Sequence, residues 1–311
     1  MRRAEGERWA LRGRRSGWRL APLICALWLG CAEPVPSVLA EDTLIEGVGA
    51  ESRALSDFSE HIPYAQSPDG SLHRHLRFGK LKFIEIVPPG VDPHASLPIV
   101  VHFHGLSDRP RLPSASAQHP SIPARILLPR GPYPFERGFA WYPYRVRENR
   151  REEMKRALEG TAHHLARFLD EASERFRTPC RPIAVGFSQG GMITLATAVL
   201  RPESLEAAIA LAAYFPPELI PESASERALP IRMIHGLDDA IVPPGPTLES
   251  VEALRERGFT IDLTLIEGMR HASTPDSDRA LGEAIHRALR ACTHSSERSP
   301  ILDTARRDSA P

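Results

Sequence analysis

The stretch "VGFSQGG", residues 185–191, decides how this chain is read. It sets Ser188 between Gly186 and Gly190, with Gly191 immediately after. The preceding "RPIAVGF" is apolar and rich in β-formers, which predicts a buried strand. The following "QGGMITLATAVL" is long and apolar enough for a helix that ends before Pro202. Glycines stand where a side chain would obstruct the approach of strand to helix. A serine on such a turn projects its hydroxyl above the sheet edge, in a strained conformation, with a helix N-terminus behind it. The alternative is a plain hydroxyl in a glycine-rich turn. The choice depends on whether the chain also supplies an acid, a histidine and an oxyanion site.

Working outward, "FGKLKFIEIVPPG" reads as an alternating strand and "LPIVVHFHG" as a continuous apolar one. Residues 41–75 read as polar and irregular, and "RILLP" as a short strand. The stretch 107–124 holds too much proline for a regular helix, and 129–150 reads as a long connection. "RENRREEMKRALEGTAHHLARFLDEASERF" is an amphipathic helix whose apolar side is mostly Met154, Leu158, Leu165, Phe168 and Leu169. Three strands follow the serine, in "LEAAIALAAYF", "LPIRMIHG" and "FTIDLTLIEG", with helices near 246–257 and 275–291. Strands alternating with helices imply an α/β fold, a mostly parallel sheet covered on both faces. No stretch suggests a large lid.

The acid and the histidine should follow later strands. "IRMIHGLDDAIVP" presents Asp238 and Asp239 in the turn after one, and "LTLIEGMRHAST" presents His271 after the next. The order serine, aspartate, histidine is that of a hydrolase with its nucleophile on an elbow. All three fall beyond strand C-terminal ends, where open parallel sheets build their sites. His102 and His104, two apart on a strand, share a face and could pass for metal ligands, but His104-Gly105 suits an oxyanion loop better. Trp141 and Tyr142 fit either the mouth of a pocket or the core.

Together, "HFHGLSD" (102–108), "GFAWYPY" (138–144), "GFSQGGM" (186–192), "HGLDDAIVP" (235–243) and "EGMRH" (267–271) resemble the serine carboxylesterase, lysophospholipase and acyl-protein thioesterase family of α/β-hydrolases. The resemblance spans about residues 78–291. It implies Ser188 as nucleophile, His271 as base and Asp239, rather than Asp238, as acid. It implies the backbone N–H groups of Leu106 and Gln189 as the oxyanion hole. It also implies a small-molecule or lipid-like ester as substrate and no metal, nucleotide or flavin cofactor. A serine peptidase, a polyester depolymerase or an inactive binding domain would share the fold. Two departures stand out: Arg270 replaces the family's glycine before the histidine, and the proline-rich 107–124 replaces a regular helix.

The termini differ in kind from this domain, expected over 76–295. Residues 1–40 run from arginine-rich through the short apolar "LAPLICALWLG" to small residues and prolines, which reads as an export signal. The apolar run is well short of the roughly 20 residues that span a bilayer. Cleavage after Ala40 would release a soluble protein, whereas lipidation at Cys31 would anchor it. That segment holds seven arginines and three acidic residues, leaving 32 basic and 36 acidic residues in the remainder. A mildly acidic domain gives no reason to expect nucleic acid as a partner. Residues 296–311 read as a polar tail, and nothing sets the oligomeric state. Beyond the signal only Cys180 and Cys292 remain, as one disulfide or two separate thiols. In the fold of the resembling family, the last helix could bring Cys292 to the start of the serine strand.

Overall fold

The computed structural model describes residues 62–112, 122–145, 148, 150–227 and 229–297. The export segment, the cleavage and lipidation positions and the polar tail lie outside the described residues. Among the described residues, eleven strands and four α-helices follow in order: β1 (Ala65–Gln66), β2 (Leu72–Phe78), β3 (Leu81–Val87), β4 (Ile99–Phe103), β5 (Arg125–Pro129), β6 (Tyr133–Phe135), β7 (Gly138–Ala140), α1 (Arg151–Arg175), β8 (Ile183–Phe187), α2 (Gln189–Leu200), β9 (Ala207–Leu211), β10 (Ile231–Gly236), α3 (Pro244–Glu256), β11 (Ile261–Ile266) and α4 (Pro275–Glu297). The main sheet has the order β1-β2-β3-β5-β4-β8-β9-β10-β11. From β5 to β11 every pair is parallel, and β1, β2 and β3 join antiparallel. The expected α/β sheet is therefore present, and among the described residues no large insertion forms a lid.

The strand patterns explain the layering. β4, β5, β8 and β9 are buried on both faces, so their sequences are apolar apart from His102 on β4 and Arg125 on β5. On β8 and β9 the larger residues Ile183, Val185, Ile209 and Leu211 pack on one face with Leu281, Ile285 and Leu289 of α4. The opposite face presents Ala184, Ala208 and Ala210, and here α1, α2 and α3 pack. Small residues on that face admit α2, which is buried all round from Gln189 to Val199. α1 contributes one stripe, including Met154, Leu158, Leu165, Phe168 and Leu169, as its periodicity predicts.

Three expectations need correction. The stretch 41–75 is not irregular throughout, because β1 and most of β2 lie in it. Polar His73, Arg74 and His75 obscure a strand of which only Leu76 and Phe78 are buried. "FGKLKFIEIV" is not one strand: the chain reverses at Gly79, which takes φ 53°, and Phe78 pairs with Leu81. The connection 129–150 contains the β6–β7 hairpin, too short for its alternation to register. On β3, Glu85 shares the inward face with Leu81, Phe83 and Val87. It is buried against the equally buried Arg125 and also pairs with Arg74, so the antiparallel end of the sheet closes on an ion cluster.

The topology positions the site. β5 lies on one side of β4 and β8 on the other, so the chain changes direction between β4 and β8. A crevice opens at the carboxyl ends of such strands.

Cys180 and Cys292 form a disulfide, their Cα atoms 5.5 Å apart. It ties the end of α4 to the segment entering β8, away from that crevice. The two cysteines are 112 residues apart, a separation for which loop entropy gives a stabilisation of about 4–5 kcal/mol. Reduction should therefore lower the melting temperature by on the order of 10 °C while leaving ester hydrolysis at permissive temperature intact. Calorimetry and an ester assay with and without reductant check this, with non-reducing peptide mapping to identify the bridge.

Candidate active site

Ser188 caps α2 with φ 53° and ψ −118°, outside the regions that L-residues favour. Three close approaches impose that conformation. A Cβ on Gly186 would meet the Gly190 carbonyl oxygen at 2.1 Å, and one on Gly190 would meet the Phe103 carbonyl oxygen at 2.1 Å. One on Gly191 would stand 2.7 Å from the Cβ of Ala213. The serine's own N–H donates to the Leu211 carbonyl at 2.9 Å, which pins the turn to β9.

The loops after β10 and β11 are bonded to each other. Leu237 N–H donates to the Ile266 carbonyl at 3.0 Å and Asp238 N–H to the Met269 carbonyl at 3.1 Å. Within this double loop Asp239 is buried and Asp238 exposed, which separates the two adjacent acids. Asp239 Oδ1 accepts the N–H groups of Ile241 and Val242, each at 2.9 Å. Its Oδ2 lies 2.7 Å from His271 Nδ1, and His271 Nε2 lies 2.9 Å from Ser188 Oγ. A carboxylate only accepts, so Nδ1 carries the proton and Nε2 faces the serine with its lone pair. The Phe187 ring packs against the imidazole at 5.1 Å between centroids. Three residues from three strand ends thus meet in one contact chain.

The loop after β4 lies against this chain, since a Cβ on Gly105 would stand 3.6 Å from that of Ser188. His104 fixes its course with both ring nitrogens. Nδ1 donates to the Gly105 carbonyl at 2.7 Å, and Nε2 accepts the Gly131 N–H at 3.0 Å. These partners require a neutral ring, and burial holds its pKa below the usual value. In a planar trans peptide the N–H points opposite to the C=O, so holding the Gly105 carbonyl also sets the direction of the Leu106 N–H. Ser107, at φ 63°, is secured by its N–H to the Phe139 carbonyl at 2.9 Å, and Phe139 N–H returns to Asp108 at 2.9 Å. The β6–β7 hairpin therefore braces the loop. As the first residue of α2, Gln189 has no intrahelical acceptor for its N–H.

Sequence reasoning missed the side chain of Gln189. Its Oε1 accepts the Trp141 N–H at 2.8 Å and its Nε2 donates to the Tyr142 carbonyl at 2.8 Å. Trp141 donates its indole N–H to the His104 carbonyl at 2.9 Å. Trp141 and Tyr142 are buried, so of the two readings open for them the core is correct. The partners of Gln189 lie more than forty residues away in sequence, so no local signal announced them. Arg270, the departure beside His271, is exposed.

Residues 83–288 match the phospholipase/carboxylesterase family. The chain belongs to that family. Membership makes it an esterase-type hydrolase. Esterase PE8 has a similar structure, with 26% identity and a TM-score of 0.56 over 62% of this chain and 94% of its own. The Bacillus cereus carboxylesterase matches at 20% identity and a TM-score of 0.53, over 66% and 93% of the two chains. The Mesorhizobium loti carboxylesterase matches at 20% identity and a TM-score of 0.52, over 66% and 94%. At such identity the last two show the fold alone. No helix among the described residues is long and apolar enough to cross a membrane.

His102 does not join His104 in a paired arrangement. It lies on the α4 face of β4, opposite Val101 and Phe103, and its Nε2 has no partner among the described residues. Burial lowers its pKa from 6.5 to about 4. Between those values the unfolded chain binds a proton that the folded chain refuses, so stability rises with pH across this window. The difference corresponds to about 3 kcal/mol of stability, fully present above pH 6.5, lost progressively as pH falls from there and gone below about 4. Urea unfolding at several pH values should show this slope, and a folded His102→Phe variant should flatten it.

Proposed function

We propose that this chain is a carboxylesterase-type serine hydrolase that cleaves small or single-chain acyl esters through an acyl-enzyme on Ser188. The observation that carries the reading is the contact chain from Ser188 Oγ to His271 at 2.9 Å and on to Asp239 at 2.7 Å. A neutral serine is a weak nucleophile until a base takes its proton. In the proposed cycle His271 Nε2 accepts the Ser188 proton as Oγ attacks the ester carbonyl. The carbonyl π pair moves to oxygen, and the N–H groups of Leu106 and Gln189 stabilise the resulting charge. Asp239 holds the imidazole tautomer and stabilises the imidazolium without taking its proton. Collapse of the intermediate expels the alcohol, which leaves with the proton from Nε2. A water activated by the same histidine then releases the acid and restores Ser188.

Single-chain acyl esters, including lysophospholipids and thioesters, suit an open crevice with no lid domain among the described residues. Export is also proposed, on two grounds. The first forty residues run from basic to apolar to small, and the Cys180–Cys292 bridge fits an oxidising compartment.

Ser188→Ala should abolish hydrolysis of p-nitrophenyl butyrate and labelling by a fluorophosphonate, with unfolding near wild type. A folded mutant that keeps most of its rate would sink the nucleophile assignment. Asp239→Asn should lower turnover about 10⁴-fold through the wrong tautomer, whereas Asp238→Asn should cost far less. The reverse ranking would overturn the choice of acid. Across purified substrates, single-chain esters should be turned over faster than emulsified triglyceride or peptide amides, and a marked preference for either of those would reject the substrate class.

A further inference from the structure

His235 is fully buried at the end of β10, four residues before Asp239, and takes no direct part in the proposed cycle. Its Nε2 lies 2.9 Å from the Val242 carbonyl oxygen. A carbonyl only accepts, so Nε2 carries a proton and donates it. Val242 is thereby held at both ends, since its own N–H donates to Asp239 Oδ1 at 2.9 Å. On the other side of the ring, Nδ1 stands 3.2 Å from the hydroxyl of buried Thr247, which also contacts the Ala213 carbonyl at 3.0 Å. Ala213 in turn packs on Gly191 of the serine turn.

These contacts close a circuit: serine turn, Ala213, Thr247, His235, Val242, Asp239, His271 and back to Ser188. We propose that His235 is a positioning residue for the acid. It fixes the turn whose Ile241 and Val242 N–H groups hold the Asp239 carboxylate, and so sets the angle at which Oδ2 meets His271. This rests on the reading of Ser188, Asp239 and His271 given above.

The ring is suited to the task for a geometric reason. An apolar side chain at a fully buried strand end would pack without needing partners, whereas an imidazole must satisfy two nitrogens. Here Nε2 is satisfied by the carbonyl that defines where the acid turn leaves the sheet, and Nδ1 faces the Thr247 hydroxyl near the start of α3, whose single proton is shared between Nδ1 and the Ala213 carbonyl. His235 Nε2 is also 3.8 Å from Asp239 Oδ2, beyond hydrogen-bond range, so the carboxylate remains directed at His271. Misplacing a reacting group by about 1 Å can cost on the order of 10²-fold in rate.

His235→Phe should lower kcat for p-nitrophenyl butyrate about 10²-fold with KM within about threefold of wild type. His235→Gln, whose amide can still donate to the Val242 carbonyl, should recover to within about tenfold of wild type. Thr247→Val, which removes support at Nδ1, should lower kcat several-fold. A residue acting only through the acid adds nothing once the acid is gone. His235→Phe in the Asp239→Asn background should therefore change kcat by less than about twofold, although it is costly alone. The downfield proton resonance of His271 Nδ1–H should broaden or shift in His235→Phe and return in His235→Gln. Multiplicative losses in the double mutant, or a folded His235→Phe with wild-type kcat, would overturn the proposal. Should His235→Phe not fold, Thr247→Val decides, and an unchanged kcat there would reject it. Activity retained in Ser188→Ala would instead remove the proposed function itself, so the two failures are distinguishable.

Discussion

The site depends on how closely the backbone of α2 approaches that of β4. At residue 190 the gap to the Phe103 carbonyl admits a hydrogen and nothing larger. The same approach lets Gly105 lie against Ser188, so the serine and the loop after β4 share one crevice wall. The alanines on the α2 face of β8 and β9 extend this closeness along the sheet, and the helix is buried all round as a result. The strained φ of Ser188 persists because its surroundings over-determine it.

Around that approach, the buried polar side chains of the site are each tied to backbone as well as to their neighbours. Asp239 takes two peptide N–H groups, Gln189 bonds two peptide groups of the 141–142 segment, and His104 spans from Gly105 to Gly131. Backbone partners move only if the fold moves, so each side chain inherits the rigidity of the sheet. In a low-dielectric interior a fully satisfied network is strong, and an unpaired group is costly. His102 marks the contrast, one strand position from the loop and without a partner for Nε2 among the described residues.

Rigidity and variability divide along the same lines. The trio stands just beyond strand ends, on turns that the sheet holds in place. Arg270 is a loop departure, and loops are where members of one fold diverge without disturbing its frame. The disulfide acts at the far end of the same central strand. It constrains the chain without touching the crevice.

Much of this was legible in the sequence because the signals were local. Gly186, Gly190 and Gly191 around Ser188 announce a turn that a side chain would block, and the order serine, aspartate, histidine follows from turns after apolar runs. β8 and β9 were readable since buried parallel strands are continuously apolar. β1, β2 and the β6–β7 hairpin were not, because short or half-polar strands take their identity from the strand they pair with. Glu85 on an inward face and the side chain of Gln189 were invisible for a related reason. A polar residue can be buried only where distant partners satisfy it, and Arg125 is forty residues from Glu85 while Trp141 is forty-eight from Gln189. Likewise the sequence left Cys180 and Cys292 bridged or free, since 112 residues of separation carry no distance information. The sequence by itself determined which residues could form a nucleophile turn and its partners, through spacing within each segment. Only the tertiary structure decided which acid faces His271, which histidines brace backbone and which cysteines meet, because those depend on contacts between segments that the sheet brings together.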